Sequence, residues 1–217
     1  LSHQASNGRA VYSFCMCPGG LIVPAATSPG EIVVNGMSLS RRDSPYANSG
    51  VVTAVELEDM KPYNAAGALM GVALQREVEQ KMFSVGNGSQ AAPAQRLTDF
   101  LAKRVSLDIP ESSYIPGLFS APLHELLPAW IYDRLAYGIR GFDHKMKGYV
   151  DAEAVVVATE SRTSSPVRVP RTPDGMHVEI EGLFPCGEGA GYAGGILSAA
   201  MDGQFIARAV KNYIQSK

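Results

Sequence analysis

The sequence lacks several features that would place it in a large class. It has only three cysteines, Cys15, Cys17 and Cys186, too few for the disulfide framework of a small secreted domain. No basic stretch leads into an apolar one near Leu1, so we expect no signal peptide and a reducing, cytoplasmic setting. The uncharged stretch from Val11 to Gly30 is broken by Pro18, Gly19, Gly20, Pro24 and Pro29, which excludes a membrane helix there. Neither sign of charge dominates: the formal net charge is −2, so neither nucleic acid nor a membrane is expected as partner. Blocks of like charge, internal repeats and low-complexity segments are absent as well. The first residue is Leu1, not Met, and we expect a piece of a longer protein whose remainder is its partner.

What is present is an ordinary globular composition, with 46% hydrophobic residues over 217, enough to bury a core. Val11–Cys17, Leu21–Thr27 and Glu31–Val34 are short, apolar and separated by Pro/Gly turns, the pattern of a strand meander. Asn35-Gly36 adds a turn signal, and Val51–Leu57 reads as a further strand. Helical spacing follows over Ala65–Val85, then over Ala94–Val105, then from Leu123 to Ile139 with Pro128 as a break or restart. The last third reads as α/β. Ala154–Ala158 has the continuous apolar run of a buried parallel strand, and Gly182–Cys186 that of a short one. Ile196–Ile214 can build a helix whose apolar face holds Ile196, Ala199, Ala200, Phe205, Ile206, Ala209 and Val210. The expected fold is mixed α/β (α+β), divided at 1–57, 58–148 and 149–217.

The densest signal is the run Gly187-Glu188-Gly189-Ala190-Gly191-Tyr192-Ala193-Gly194-Gly195, between a predicted strand and a predicted helix. Glycines let backbone approach a ligand. The helix start beyond them offers free N–H groups and the positive end of a dipole. Such a place suits an anion or an electron-rich carbonyl. Gly189 to Gly194 matches G-x-G-x-x-G, yet only one helix of chain follows, with no second strand. It is therefore not the primary dinucleotide fingerprint, which opens a βαβ unit. A closing strand–turn–helix against another part of a cofactor is the better reading, and glycines serving only helix–sheet packing is the plainer alternative.

The string GLFPCGEGAGYAGGILSAAMDG (Gly182–Gly203) resembles the C-terminal FAD motif of two-dinucleotide-binding-domain flavoproteins. With YSFCMCPGG (Tyr12–Gly20), VNGMS (Val34–Ser38), APAQRLTDFL (Ala92–Leu101) and ESRTSSPVR (Glu160–Arg168), the whole chain is similar to the uncharacterised bacterial FAD-dependent dehydrogenase family. That resemblance implies the closing part of a Rossmann-like FAD-binding domain with an inserted substrate-type domain, and an N-terminal G-x-G-x-x-G lying elsewhere. It implies an FAD-dependent oxidoreductase acting on a small-molecule substrate, with NAD(P)H as a candidate electron donor or acceptor. Gly187 and Glu188 would face the ribityl and pyrophosphate region. Gly194, Gly195 and Ile196 would turn backbone N–H groups to the pyrimidine edge of the flavin. Gly189, Ala190, Gly191, Tyr192 and Ala193 would complete the loop, with Thr159, Glu160 and Arg162 as further cofactor contacts. Wider relatives often carry Asp where this chain has Glu188.

Other chemistry is sparse. Cys15 and Cys17, two apart on a predicted strand, should share a face and are expected to be small buried side chains, with a redox role beside a flavin as the alternative. A disulfide between them would be strained, and zinc lacks a second ligand pair, so no metal is expected. Arg162, Arg168 and Arg171 around Thr163-Ser164-Ser165 fit either an anionic substrate or cofactor phosphate, or a solvated loop. His3, His124, His144 and His177 form no evident triad, leaving the general base and any catalytic residue unassigned. Two other readings stay open: a non-catalytic ligand-binding or interaction module, and a tRNA-modifying flavoprotein.

Overall fold

A computed structural model describes residues 1–4 and 9–217. The fold is mixed α and β, and it separates into two compact units. One comprises 1–59 and 75–161, the other 60–74 and 162–217.

In the first unit, β1 (Ser2–Gln4), β2 (Ala10–Pro18) and β5 (Ala47–Thr53) form an antiparallel sheet in the order β1-β2-β5. β3 (Leu21–Pro24) pairs with β4 (Val34–Met37). Asn35 and Gly36, expected in a turn, lie inside β4, opposite Val23 and Ile22. The meander is thus real but shifted, because cross-strand pairing overrides a two-residue turn preference. Along β2, Val11 and Ser13 are buried while Tyr12 is exposed, the alternation of a sheet with one wet face. A bulge then intervenes: Phe14 pairs Gly50, but Cys17 pairs Asn48, and Cys15 sits at φ 47. The extra residue breaks the alternation. The expectation of two buried thiols on one face is corrected accordingly, for Cys15 is exposed and Cys17 half-buried.

Pro128 restarts rather than breaks its helix. α3 (Leu123–Leu126) ends before it and α4 (Ala129–Lys145) begins after it, where a missing N–H and a fixed φ are harmless. α4 packs on β1, β2 and β5. A Cβ on Gly138 would lie 2.4 Å from the Val11 Cβ, so glycine here sets how near helix and sheet approach. Phe142 and Phe100 are fully buried.

The third sheet has the order β7-β6-β8, from β6 (Ala92–Arg96), β7 (Leu118–Ser120) and β8 (Val155–Val157). β6 runs parallel to β7 but antiparallel to β8. The buried parallel strand anticipated for 154–158 is therefore corrected: β8 is antiparallel and half-buried, because a short apolar run fixes neither direction nor depth. The helix expected over 94–105 shrinks to α2 (Leu97–Ala102), because Ala92 to Gln95 are buried between two strands.

One ion pair carries much of this unit's polar order. Arg134 grips Asp59 through two hydrogen bonds of 2.7 and 2.9 Å and also donates to the Ala54 carbonyl. The side chains are only 15% and 9% exposed. The hydrogen bond from Arg134 holds the Asp59 carboxyl below its ordinary 3.8, Arg9 helping from further off. The pair's contribution is thus complete above the ordinary carboxylate value and is lost as pH falls through the lower folded one. Asp59→Asn is expected to cost about 2 kcal/mol at neutral pH, the worth of a charge-assisted bond. In urea melts, the gap from wild type should close in acid.

The second unit holds a 3-10 stretch (Lys61–Leu69), the first residues of α1 (Met70–Ser84), a long loop and α5 (Ile196–Gln215). Pro166 lies over Gly71, whose Cβ would meet it at 2.7 Å. Gly182–Cys186 forms no strand; among the described residues it has no strand to pair with. Of the apolar face expected on α5 only Ile206 is buried, whereas Ile196, Ala200 and Phe205 are exposed. No helix among the described residues is long and apolar enough to cross a membrane.

Candidate functional site

The glycine-rich loop is tied down at its base, over its arch and along its flank. At the base, Asp202 of α5 accepts the Gly187 N–H at 2.8 Å. Across the arch, Gly191 N–H bonds the Glu188 carbonyl at 2.9 Å and Tyr192 N–H the Gly187 carbonyl at 3.0 Å. On the flank, Val169 N–H donates to the Ala190 carbonyl, Ser165 Oγ to that of Gly189, and the Tyr192 hydroxyl to that of Val169. The Tyr192 ring lies under two cations, with Arg171 3.5 Å and Arg168 4.4 Å from its centre. Tyr192 therefore fastens the loop through both its ring and its hydroxyl.

The glycines divide into two kinds. A Cβ on Gly191 would fall 2.7 Å from the Val167 carbonyl, at φ 82, so this glycine is needed for packing. Gly189, Gly194 and Gly195 face open space, with nothing within 4 Å of the place a Cβ would take. Beyond them α5 begins at Gly195 without a side-chain cap. Gly194 N–H bonds Ser198 Oγ at 3.2 Å. The N–H groups of Gly195 and Ile196 meet no acceptor among the described residues. Open backbone leading to an uncapped helix start can hold a planar, acceptor-rich ligand edge.

Glu188 is half-buried beside this arch. The Gly187 N–H is engaged by Asp202. Arg171, for which the sequence left an anion site and an ordinary loop pair both open, bonds Asp202 and the Pro185 carbonyl. Arg168 is exposed and, with Arg171, Thr172, Pro173, Tyr192 and Phe205, lines an open depression of about 380 Å³. Arg162 is exposed. Thr159 and Glu160 belong to the first unit. There the Thr159 carbonyl accepts from Val34 N–H, and burial raises the Glu160 carboxyl. Partial desolvation, with Cys17 and Glu160 adding to it, raises the Cys15 thiol although the residue as a whole is exposed. No group of His, Cys, Asp and Glu among the described residues could hold a metal ion.

Sequence reasoning passed over Asp202. The sequence marks it only as the single carboxylate in α5, which does not say what it meets.

Residues 1–163 match the family model described as FAD-dependent protein, C-terminal domain-like. The chain belongs to this family. A protein of Clostridium beijerinckii (strain ATCC 51743 / NCIMB 8052), described as an uncharacterized protein, is 45% identical over 201 residues. The match takes in 92% of this chain but 37% of that relative, so the chain spans little more than a third of its length. The family match ends before the glycine-rich loop, while the match to the relative leaves too few residues over to miss it. Membership associates the chain with FAD and makes it part of a flavoprotein family.

Proposed function

We propose that this chain is the C-terminal portion of an FAD-dependent oxidoreductase that moves two electrons, as hydride, to or from a small-molecule substrate. The observation that carries the reading is the unfilled space at Gly189, Gly194 and Gly195, leading to the uncapped start of α5. These residues fit the edge of a flavin. Gly195 and Ile196 would donate backbone N–H groups to its pyrimidine carbonyls. The α5 dipole would favour the negative charge that gathers there on reduction. FAD, when bound, supplies the two-electron chemistry. The chain's own residues supply position: Tyr192 and Ser165 hold the arch rigid, and the bare glycines admit a ring that any side chain would obstruct. Thr159, Glu160 and Arg162 are carried as cofactor contacts on resemblance alone, and a nicotinamide as electron donor or acceptor is part of the same proposal.

The test is made on the full-length protein. It should purify yellow, show the two visible bands of an oxidised flavin, and bleach with dithionite. Bleaching by NADH or NADPH would assign the nicotinamide. A colourless protein that takes up no FAD on titration would overturn the reading in favour of a non-catalytic module.

A further inference from the structure

Asp202 and Arg171 form a largely enclosed ion pair in the second unit, their side chains 10% and 11% exposed. The bonds between them are 2.5 and 3.0 Å long and run from the two terminal guanidinium nitrogens, Nη2 and Nη1, to the two carboxylate oxygens. Neither residue serves only the other. Arg171 donates to the Pro185 carbonyl at 2.8 Å, just before the loop, and its guanidinium covers the Tyr192 ring. Asp202 receives the Gly187 N–H, the first of the loop, from its place on α5, beyond the loop's end. Two side chains thus join the loop's entry, its arch and the helix that follows.

We propose that Asp202 and Arg171 are the positioning residues of the cofactor loop: their ion pair clamps Pro185 and Gly187 to α5 and so holds Gly194, Gly195 and Ile196 where the flavin edge meets them. This rests on the function proposed above. The geometry explains why a charged pair sits here. A neutral acceptor on α5 could take the Gly187 N–H, but it would not also orient a guanidinium, whose planar fork reaches the Pro185 carbonyl and the Tyr192 face together. Loops of this length sample many conformations unless tied at the base. A ligand that selects one of them has its apparent dissociation constant raised by the inverse of the fraction correctly placed. The ties also keep the carboxylate ionised. The Arg171 hydrogen bond, with help from Gly187 N–H, lowers the Asp202 carboxyl to about 2, so the clamp stays closed throughout the neutral range.

The experiment compares full-length wild type with Asp202→Asn, Arg171→Gln and the double variant. It measures FAD dissociation constants and hydrogen exchange of the loop amides without FAD. Asp202→Asn keeps an oxygen for Gly187 N–H but loses the charge. Each single variant should weaken FAD binding about tenfold, the scale of one charge-assisted anchor. The double variant should be little worse than either single one, because both remove the same clamp. Exchange at Gly187 and Tyr192 should quicken in step, and the flavin's visible bands should broaden as its edge loses fixed donors. A pair that serves stability alone would lower the melting temperature while leaving FAD affinity, measured well below it, and the band shape as in wild type. That result overturns the assignment. A wild type that binds no FAD overturns the underlying reading and this proposal with it. Wild type and variants binding FAD equally well overturns the clamp alone.

Discussion

Phe142→Ala should remove about 3–5 kcal/mol of stability, the usual loss when a fully buried aromatic side chain is cut back to its Cβ. Phe142 has no exposed surface and meets the Tyr149 ring edge-on, the centres 5.4 Å apart. It lies on α4, the helix packed on β1, β2 and β5. The damage would extend past the cavity. The Tyr149 hydroxyl donates to the buried Ser13 at 2.9 Å and is 3.3 Å from Ser49 Oγ, so the ring that Phe142 steadies also satisfies β2 from inside. Against a typical net stability of about 5–15 kcal/mol, this one change would take roughly a fifth or more. Phe142→Leu fills much of the space and should cost less than about half as much. Urea melts of the two variants give the comparison. A loss under about 1 kcal/mol for alanine would mean that α4 closes over the gap, against the rigidity expected of such packing.

Parts of this structure were open to reading from the chain, and the reasons differ by element. Pro128 marked an interruption in the helix from Leu123, and the structure settles it as a restart, because proline is comfortable only at a helix start. The β-branched and aromatic run at the start of β2 announced a strand. β6 could not be seen the same way. Ala-Pro-Ala-Gln has no strand preference of its own and is extended because β7 and β8 lie on either side. Gly182–Cys186 shows the converse, an apolar run that looks like a strand and finds no partner among the described residues. The Cys15 bulge is invisible for a similar reason, since register belongs to two strands and not to one.

The glycine-rich loop was legible as a place and not as a mechanism. Five glycines in nine residues marked it, but nothing local separates Gly191, closed in by Val167 and Arg168, from Gly195, open on the same side. That difference comes from the segment before the loop, far off in sequence. Asp202 was missed on the same account: a carboxylate's role depends on which amide and which guanidinium it meets, and Gly187 and Arg171 reach it only through the fold.

Gly195→Val should separate the fold from the site. Gly195 is fully extended, at φ 173 and ψ 170, a backbone open to any residue and suited to a β-branched one. Nothing lies within 4 Å of the position its Cβ would take. The chain itself should therefore accept valine, with apo stability changed by less than about 0.5 kcal/mol, as for an exposed site without special features. Gly191 would be the wrong place for this test, since its φ is 82 and its Cβ would meet the Val167 carbonyl. A flavin edge held by Gly195 and Ile196 must approach the bare Cα, and a branched side chain there displaces it from both N–H groups. Two such bonds together with the lost fit amount to about 3 kcal/mol, or a weakening near 100-fold in FAD affinity. The full-length variant should melt with wild type and purify pale. If it purifies as yellow as wild type and binds FAD as tightly, the flavin does not meet the chain at the start of α5, and the space beside Gly195 serves some other purpose.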